Sequence, residues 1–247
     1  VEMVCRFAVK NIIVMLLSLM MSHSTLAQAP NSPDMPVINI FEISVNPDKR
    51  PQYDEIARQT ISTSIDQETG TLAMYSLQRK DASHQTYMVE IYEDKEAYHR
   101  HLQSAHYQAF IARAPELINR KHQIQLTPQF LSDKHIVQNA QTINNLVIVD
   151  VKPEFQEAFK HVVLPEMAES IKVEEGVLAM YAATGVDNTH RWYFYEIYAS
   201  EAAYQQHRQT PHFRDYIAQT AQMAVSKESI PVAPVYLRNK GGIGPVE

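Results

Sequence analysis

Four histidines stand in two matched pairs, His101 with His106 and His207 with His212, and each pair follows a glutamate set in an apolar run. Glu90 lies in Tyr87-Met88-Val89-Glu90-Ile91-Tyr92, and Glu196 lies in Trp192-Tyr193-Phe194-Tyr195-Glu196-Ile197-Tyr198. A carboxylate in such a run is costly to bury unless it is paired. Strand alternation puts Glu90 on the face of Met88 and Tyr92, and one of the nearby histidines is its natural partner. The pair is then either a proton-accepting imidazole with its orienting group or a structural tie.

His101 and His207 fall late in a predicted helix. A base facing a pocket and a histidine set favourably against the helix dipole are both open readings. His106 and His212 fall in the first turn of the next helix, where the dipole favours the neutral ring. There a histidine can polarise a carbonyl or phenolate, or tie the helix junction together. Tyr75, Tyr92 and Tyr98, with Tyr181, Tyr198 and Tyr204, form an aromatic set that lines a pocket for a planar ring or fills the cores. The tilt toward amphipathic rings is general, with 13 tyrosines against 8 phenylalanines and 1 tryptophan.

Other chemistries find no support. His99, His101 and His106 are poorly spaced for one helix face, and no H-E-x-x-H or cysteine ligand accompanies them, so no metal is expected. No glycine-rich turn cradles a phosphate, and Ser64 and Ser170 sit inside helices with no nucleophile elbow around them. No dinucleotide or serine-hydrolase site is expected, and no other cofactor. The formal charge is −6 with no basic cluster in the body of the chain, which argues against nucleic acid as a partner.

These residues are positioned by a duplication. An offset of 106 residues superposes Glu68–Tyr75 on Glu174–Tyr181, Glu90–Tyr92 on Glu196–Tyr198, and both histidine pairs; 23 of 73 positions from 41 to 113 are identical without a gap. The period is too long for a solenoid unit and matches a small domain. Periodicity in the first copy predicts a strand at 37–45 and a helix at 49–66. A hairpin of strands at 71–79 and 86–92 follows, then helices at 94–103 and 105–118, and a last strand at 124–131. The second copy predicts strands near 143–151, 177–183, 192–198 and 230–237, and helices near 154–172, 200–209 and 211–225. Gly70 and Gly176 are expected to turn with positive φ, and the tail 239–247 is expected to be loose.

The order β-α-β-β-α-β is ferredoxin-like and α+β, with one bare apolar sheet face per copy. Domains are therefore expected at 36–132 and 142–238, packed sheet to sheet as an intramolecular pseudo-dimer with room for further self-association. Residues 1–29 read as a signal peptide: Arg6 and Lys10, then the apolar run Asn11–Met21, then Ala27-Gln28-Ala29. The apolar run is too short for a stable membrane anchor. Cleavage near Ala27 or Ala29 would give a periplasmic or secreted protein of charge −7 that has lost Cys5, its only cysteine. Such a chain is held by packing rather than by disulfides.

The strings Glu68-x-Gly70-x-Leu72-x-x-Tyr75, Glu90-Ile91-Tyr92 and Ala97-Tyr98-x-x-His101-x-x-Ser104-x-His106-Tyr107 resemble the antibiotic biosynthesis monooxygenase (ABM) domain. His207-Arg208-Gln209-Thr210-Pro211-His212-Phe213 is similar to that family's H-x-x-S-P-H-F. The resemblance implies a dimeric α/β-barrel. Its range of activities covers metal- and flavin-free oxygenation of phenols or quinols, haem degradation and oxo-sugar isomerisation. The haem branch fits poorly: His stands where a Trp is wanted, and Ile111, Ala112, Ile217 and Ala218 occupy the place of the haem ligand.

The expectation is a cofactor-independent monooxygenase acting on a small aromatic, with these histidines handling protons. A binding or stress-response module without turnover is the first alternative. A purely structural duplicate is the second; it requires the retained histidines and glutamates to pair away from any cavity.

Overall fold

The computed structural model describes residues 35–244, so the expected signal segment at 1–29 lies outside it. The first strand, β1 (Val37–Val45), uses both of its faces: Ile38 and Ile40 enter one core, while Phe41, Ile43 and Val45 enter another. Helix α1 (Arg50–Gln67) lays Tyr53, Ala57, Ile61 and Ile65 on the second of these cores, at the four-residue spacing of a helix face. Strands β2 (Thr71–Arg79) and β3 (Gln85–Tyr92) form the expected hairpin, with Tyr75 opposite Val89. Helices α2 (Lys95–Gln103) and α3 (Ala105–Leu117) follow, then β4 (Ile118–Asp133). They divide where Ser104 caps: its Oγ accepts from Tyr107 N–H at 3.3 Å, as Asp94 Oδ1 accepts from Ala97 N–H at 2.6 Å.

The second copy repeats this with β5 (Ile143–Val151), α4 (Gln156–Val173), β6 (Val177–Gly185), β7 (Arg191–Tyr198), α5 (Glu201–His207) and α6 (Pro211–Thr220). It ends in two strands, β8 (Ala224–Ile230) and β9 (Val232–Asn239), where one was expected near 230–237. Pro231 makes the break, because it withdraws a ladder donor; the equivalent position in β4 is Gln125, and β4 runs unbroken from Ile118, well before the expected start.

The last strands also cross between the copies. The first half of β4 pairs with β1, and its second half pairs with β6. In return, β8 pairs with β5 and β9 with β2. The strand order is β8-β5-β7-β6-β4-β1-β3-β2-β9, and its two end members are consecutive in the chain, so the ring is closed by a single proline. A shared apolar core fills the interior with residues of both copies, and each copy adds its own core between sheet and helices.

Two sequence expectations need correction. Gly70 and Gly176 do not take positive φ; that conformation belongs to Gly241 and Gly242. The two glycines are needed for space, because a Cβ would stand 2.4 Å from Ala97 Cβ in one copy and 2.5 Å from Ala203 Cβ in the other. The tail is pinned as far as Ile243, whose N–H donates to Asp133 Oδ1 at 2.9 Å and whose carbonyl accepts from Asp133 N–H at 3.1 Å.

Candidate functional site

In each copy the end of the long helix meets the junction of the next two helices. Glu68 ends α1, where the helix dipole disfavours a carboxylate. Two histidines compensate it: His101 Nδ1–H donates to Oε2 at 3.0 Å and His106 Nε2–H donates to Oε1 at 2.7 Å. Thr71 Oγ1 donates as well. Burial alone would raise the Glu68 carboxyl, but the bonds from His101, Thr71 and His106 outweigh it and hold it at about 2. The second copy keeps both histidines on Glu174, with His207 Nδ1 at 2.9 Å and His212 Nε2 at 2.7 Å from Oε1, but Val177 stands in place of Thr71 and offers no third donor.

The histidines therefore do not take Glu90 and Glu196 as their hydrogen-bond partners. Glu90 Oε2 accepts from Tyr92 OH at 2.8 Å, and Glu196 Oε2 from Tyr198 OH at 2.8 Å. The glutamate at the helix end reaches the imidazole Nδ1 directly, whereas the strand glutamate meets the tyrosine two residues along its own face. Glu68 and Glu174 were visible in the repeat, kept in both copies and placed just before a retained glycine.

Committing Nδ1–H to a glutamate has a chemical consequence. The neutral imidazole then carries its lone pair on Nε2, on the opposite side of the ring. His101 and His207 are each only 1% exposed. Each borders a cavity between sheet and helices, together with Glu90 or Glu196 respectively. The purely structural reading required all the retained histidines and glutamates to lie away from any cavity; His101, His207, Glu90 and Glu196 border these two, whereas His106 and His212 border neither. His106 and His212 secure the glutamate from the far side.

The two cavities are unequal. The first, bordered by Phe41, Met74, Met88, Glu90, His101 and Lys121, has a volume of about 30 Å³. The second, bordered by Val147, Glu166, Glu196, His207, Tyr204 and Tyr216, has about 120 Å³. Phe41 occupies space that its counterpart Val147 leaves free, and Lys121 Nζ sits 4.3 Å from the centroid of the Phe41 ring. A wider open groove of about 840 Å³ runs between residues 135–142 and β9, but no retained histidine borders it.

Glu166 escaped the sequence reading because its counterpart is Thr60, so the repeat gave it no weight. It is 7% exposed, accepts from Ser170 Oγ at 2.8 Å, and places Oε1 3.9 Å from His207 Nε2. Burial, with Glu196 and Glu174 nearby, pushes its carboxyl up to about 8 against the opposing Ser170 bond.

The tyrosines divide by face. Tyr98 packs on Tyr92 and Tyr204 on Tyr198, each at 5.0 Å between ring centroids, and Tyr204 also borders the second cavity. Tyr92 and Tyr198 are fully buried behind the strand glutamates. Tyr75 and Tyr181 do not hold a ring in either cavity, contrary to expectation. They point into the shared interior, where their hydroxyls meet at 2.8 Å and Tyr181 donates to Asp133 Oδ2 at 2.7 Å. Parity explains the error: on β2 the residue facing the cavity is Met74, one position away.

The network also gathers possible metal ligands that spacing within one helix concealed. Donor atoms of Glu68, His101 and His106 lie within 4.8 Å of one another, as do those of Glu166, His207 and His212. In each set the histidine N–H groups already donate to Glu68 or Glu174.

Two ferredoxin-like units thus build one closed α+β barrel, each with an imidazole and a carboxylate bordering a cavity. The chain belongs to the antibiotic biosynthesis monooxygenase (ABM) family, which it matches over residues 36–113 and 143–219, together more than half its length. Two solved structures span both copies. A candidate monooxygenase from Lactobacillus acidophilus NCFM is 28% identical with a TM-score of 0.82, over 87% of this chain and 100% of its own. Another, from Fusobacterium nucleatum subsp. nucleatum, is 27% identical with a TM-score of 0.81, over 87% and 99%. An anthrone oxidase-like protein shares the fold at 14% identity and a TM-score of 0.52, over 86% and 95%. No curated protein matches the chain in sequence.

Proposed function

We propose that the protein is an exported monooxygenase that needs neither metal nor flavin and acts on a phenolic or quinol-type small aromatic. The supporting observation is the setting of His207: Glu174 fixes its tautomer, and it borders a cavity of about 120 Å³ walled by both apolar and polar side chains. A cavity of about 150 Å³ holds a benzene ring, so this one is of the right order for one aromatic ring. In this chemistry the substrate loses a hydroxyl proton and then itself reduces O₂. The protein supplies a base, a dry pocket and groups that stabilise the anion.

His207 takes the proton, and His212 and Glu174 hold His207 in place. His101, His106 and Glu68 form the equivalent set in the first copy. Export rests on the sequence of residues 1–29, and N-terminal sequencing of the protein recovered from the cell exterior or periplasm tests it.

A ligand-binding module without turnover is the second reading. The first cavity favours it, because at about 30 Å³ it is filled by its own side chains. To separate the two, metal-free mature protein is incubated with quinols and polyphenols under air, and O₂ uptake is measured. The enzyme reading expects uptake above the buffer rate, lost in His207→Ala. Ligand binding without uptake would establish the module instead.

A further inference from the structure

The second cavity contains a buried acid that the mechanism above leaves unused. Glu166 has no counterpart in the first copy, where Thr60 stands, and it sits on the same cavity as His207 Nε2, 3.9 Å away. The cavity differs in a second respect, since Val147 leaves open what Phe41 closes. Two independent substitutions, one of size and one of chemistry, therefore fall on one pocket of the pair.

We propose that the two sites have divided their roles: only the second cavity takes the aromatic ligand, and Glu166 is a catalytic residue there, donating a hydrogen bond to the ligand oxygen that His207 deprotonates. The inference rests on the phenol or quinol reading and names the working site within it. In the step itself, the ligand O–H bond breaks, the proton goes to His207 Nε2, and the electron pair stays on the ligand oxygen. That oxygen then accepts from the neutral carboxyl of Glu166. Buried carboxylic acids kept neutral in this way serve as donors to developing anions.

The groups facing Glu166 fit the role. Ser170 on α4 holds one of its oxygens. Burial first, and then the nearby Glu196 and Glu174, favour its neutral form. His207 borders the cavity beside it, as do Tyr204, Tyr216 and Lys227, and Lys227 adds a positive charge for the anion. The first cavity offers a ligand oxygen only Thr60 where this acid stands, and its volume of about 30 Å³ is one water molecule's share.

The test uses the full mature chain and a one-ring probe, hydroquinone. Binding is measured anaerobically by calorimetry, O₂ uptake is measured under air, and thermal unfolding checks that each variant folds. One equivalent per chain is expected. Val147→Phe should abolish binding, and Phe41→Val should add a second equivalent. Glu166→Thr should lower uptake about tenfold or more, the loss of one hydrogen bond to a charged group.

Glu166→Gln keeps a donor, so it should retain uptake. Two equivalents in the wild type would overturn the division of roles. So would binding and uptake indifferent to both Val147→Phe and Glu166→Thr. Should Val147→Phe fail to fold, Phe41→Val and the Glu166 variants decide alone. Absence of both binding and uptake across the quinol panel would instead sink the broader functional reading, and this inference with it.

Discussion

The two helix-covered pockets share almost every structural support and differ in what lines them. Glu68 and Glu174 each take two histidine donors at 2.7–3.0 Å, although only Glu68 has a third donor in Thr71. The strand glutamates each take a tyrosine hydroxyl at 2.8 Å. Gly70 and Gly176 make room for the same alanine. The positions that diverge, Phe41 against Val147 and Thr60 against Glu166, line the cavities. The copies therefore keep in common what builds the site and differ in what a ligand would meet.

If that division is right, damage to the shared supports should cost the copies equally. Glu68→Ala and Glu174→Ala are each expected to destabilise by about 3 kcal/mol, because each strands two histidine donors in a largely buried place. Urea unfolding of the two variants measures this, and costs differing by several-fold would break the comparison. Gly70→Ala and Gly176→Ala should each cost about 2 kcal/mol by overpacking. Pairing them with Ala97→Gly or Ala203→Gly should restore most of the loss, since the clash is with those methyl groups.

Damage to the divergent floor should be one-sided and pH-dependent. The Glu166 carboxyl is raised from 4.5 to about 8, so the folded state favours its protonated form. The stability it contributes is full below pH 4.5 and is lost as pH rises through 8. Glu166→Gln should remove that decline and exceed the wild type by about 1–2 kcal/mol at pH 9, whereas Thr60→Gln should leave the pH profile unchanged. Glu68 runs the other way: lowered from 4.5 to about 2, it contributes stability above pH 4.5 that disappears as pH falls through 2. Acid unfolding of Glu68→Gln should therefore show a shallower slope in that window. The effect is the smallest of the four, about 1 kcal/mol, because solvent screens a partly exposed group.

Much of this was legible from the chain. Alternation placed Glu90 on the same face as Met88, and the expected break after residue 103 matches the division between α2 and α3 at Ser104. The repeat register fixed the α+β pseudo-dimer. What escaped was long-range or asymmetric. Glu68 lies 33 residues from His101, so no local spacing joins them. Assigning Tyr75 to the pocket ignored the parity that put Glu90 there. Glu166 was invisible for a different reason: weighing residues by their retention in both copies favours shared supports and discards any group that serves one site alone. The crossing of β4 and β9 was equally hidden, because a strand's partner depends on the tertiary ring and not on its own pattern.

That crossing governs the order in which the molecule can be made. The free edge of β2, with Ala73, Tyr75 and Leu77, is covered only by β9, where Ala73 meets Asn239. A nascent chain must therefore carry an unpaired apolar edge through the synthesis of the whole second copy. Such an edge invites pairing with other chains. Ring closure joins residues far apart in sequence, which makes it a slow, late step. A chain stopped before Val232 would keep both histidine networks and both pockets but leave β2 exposed, so its fate would be aggregation rather than a smaller working domain.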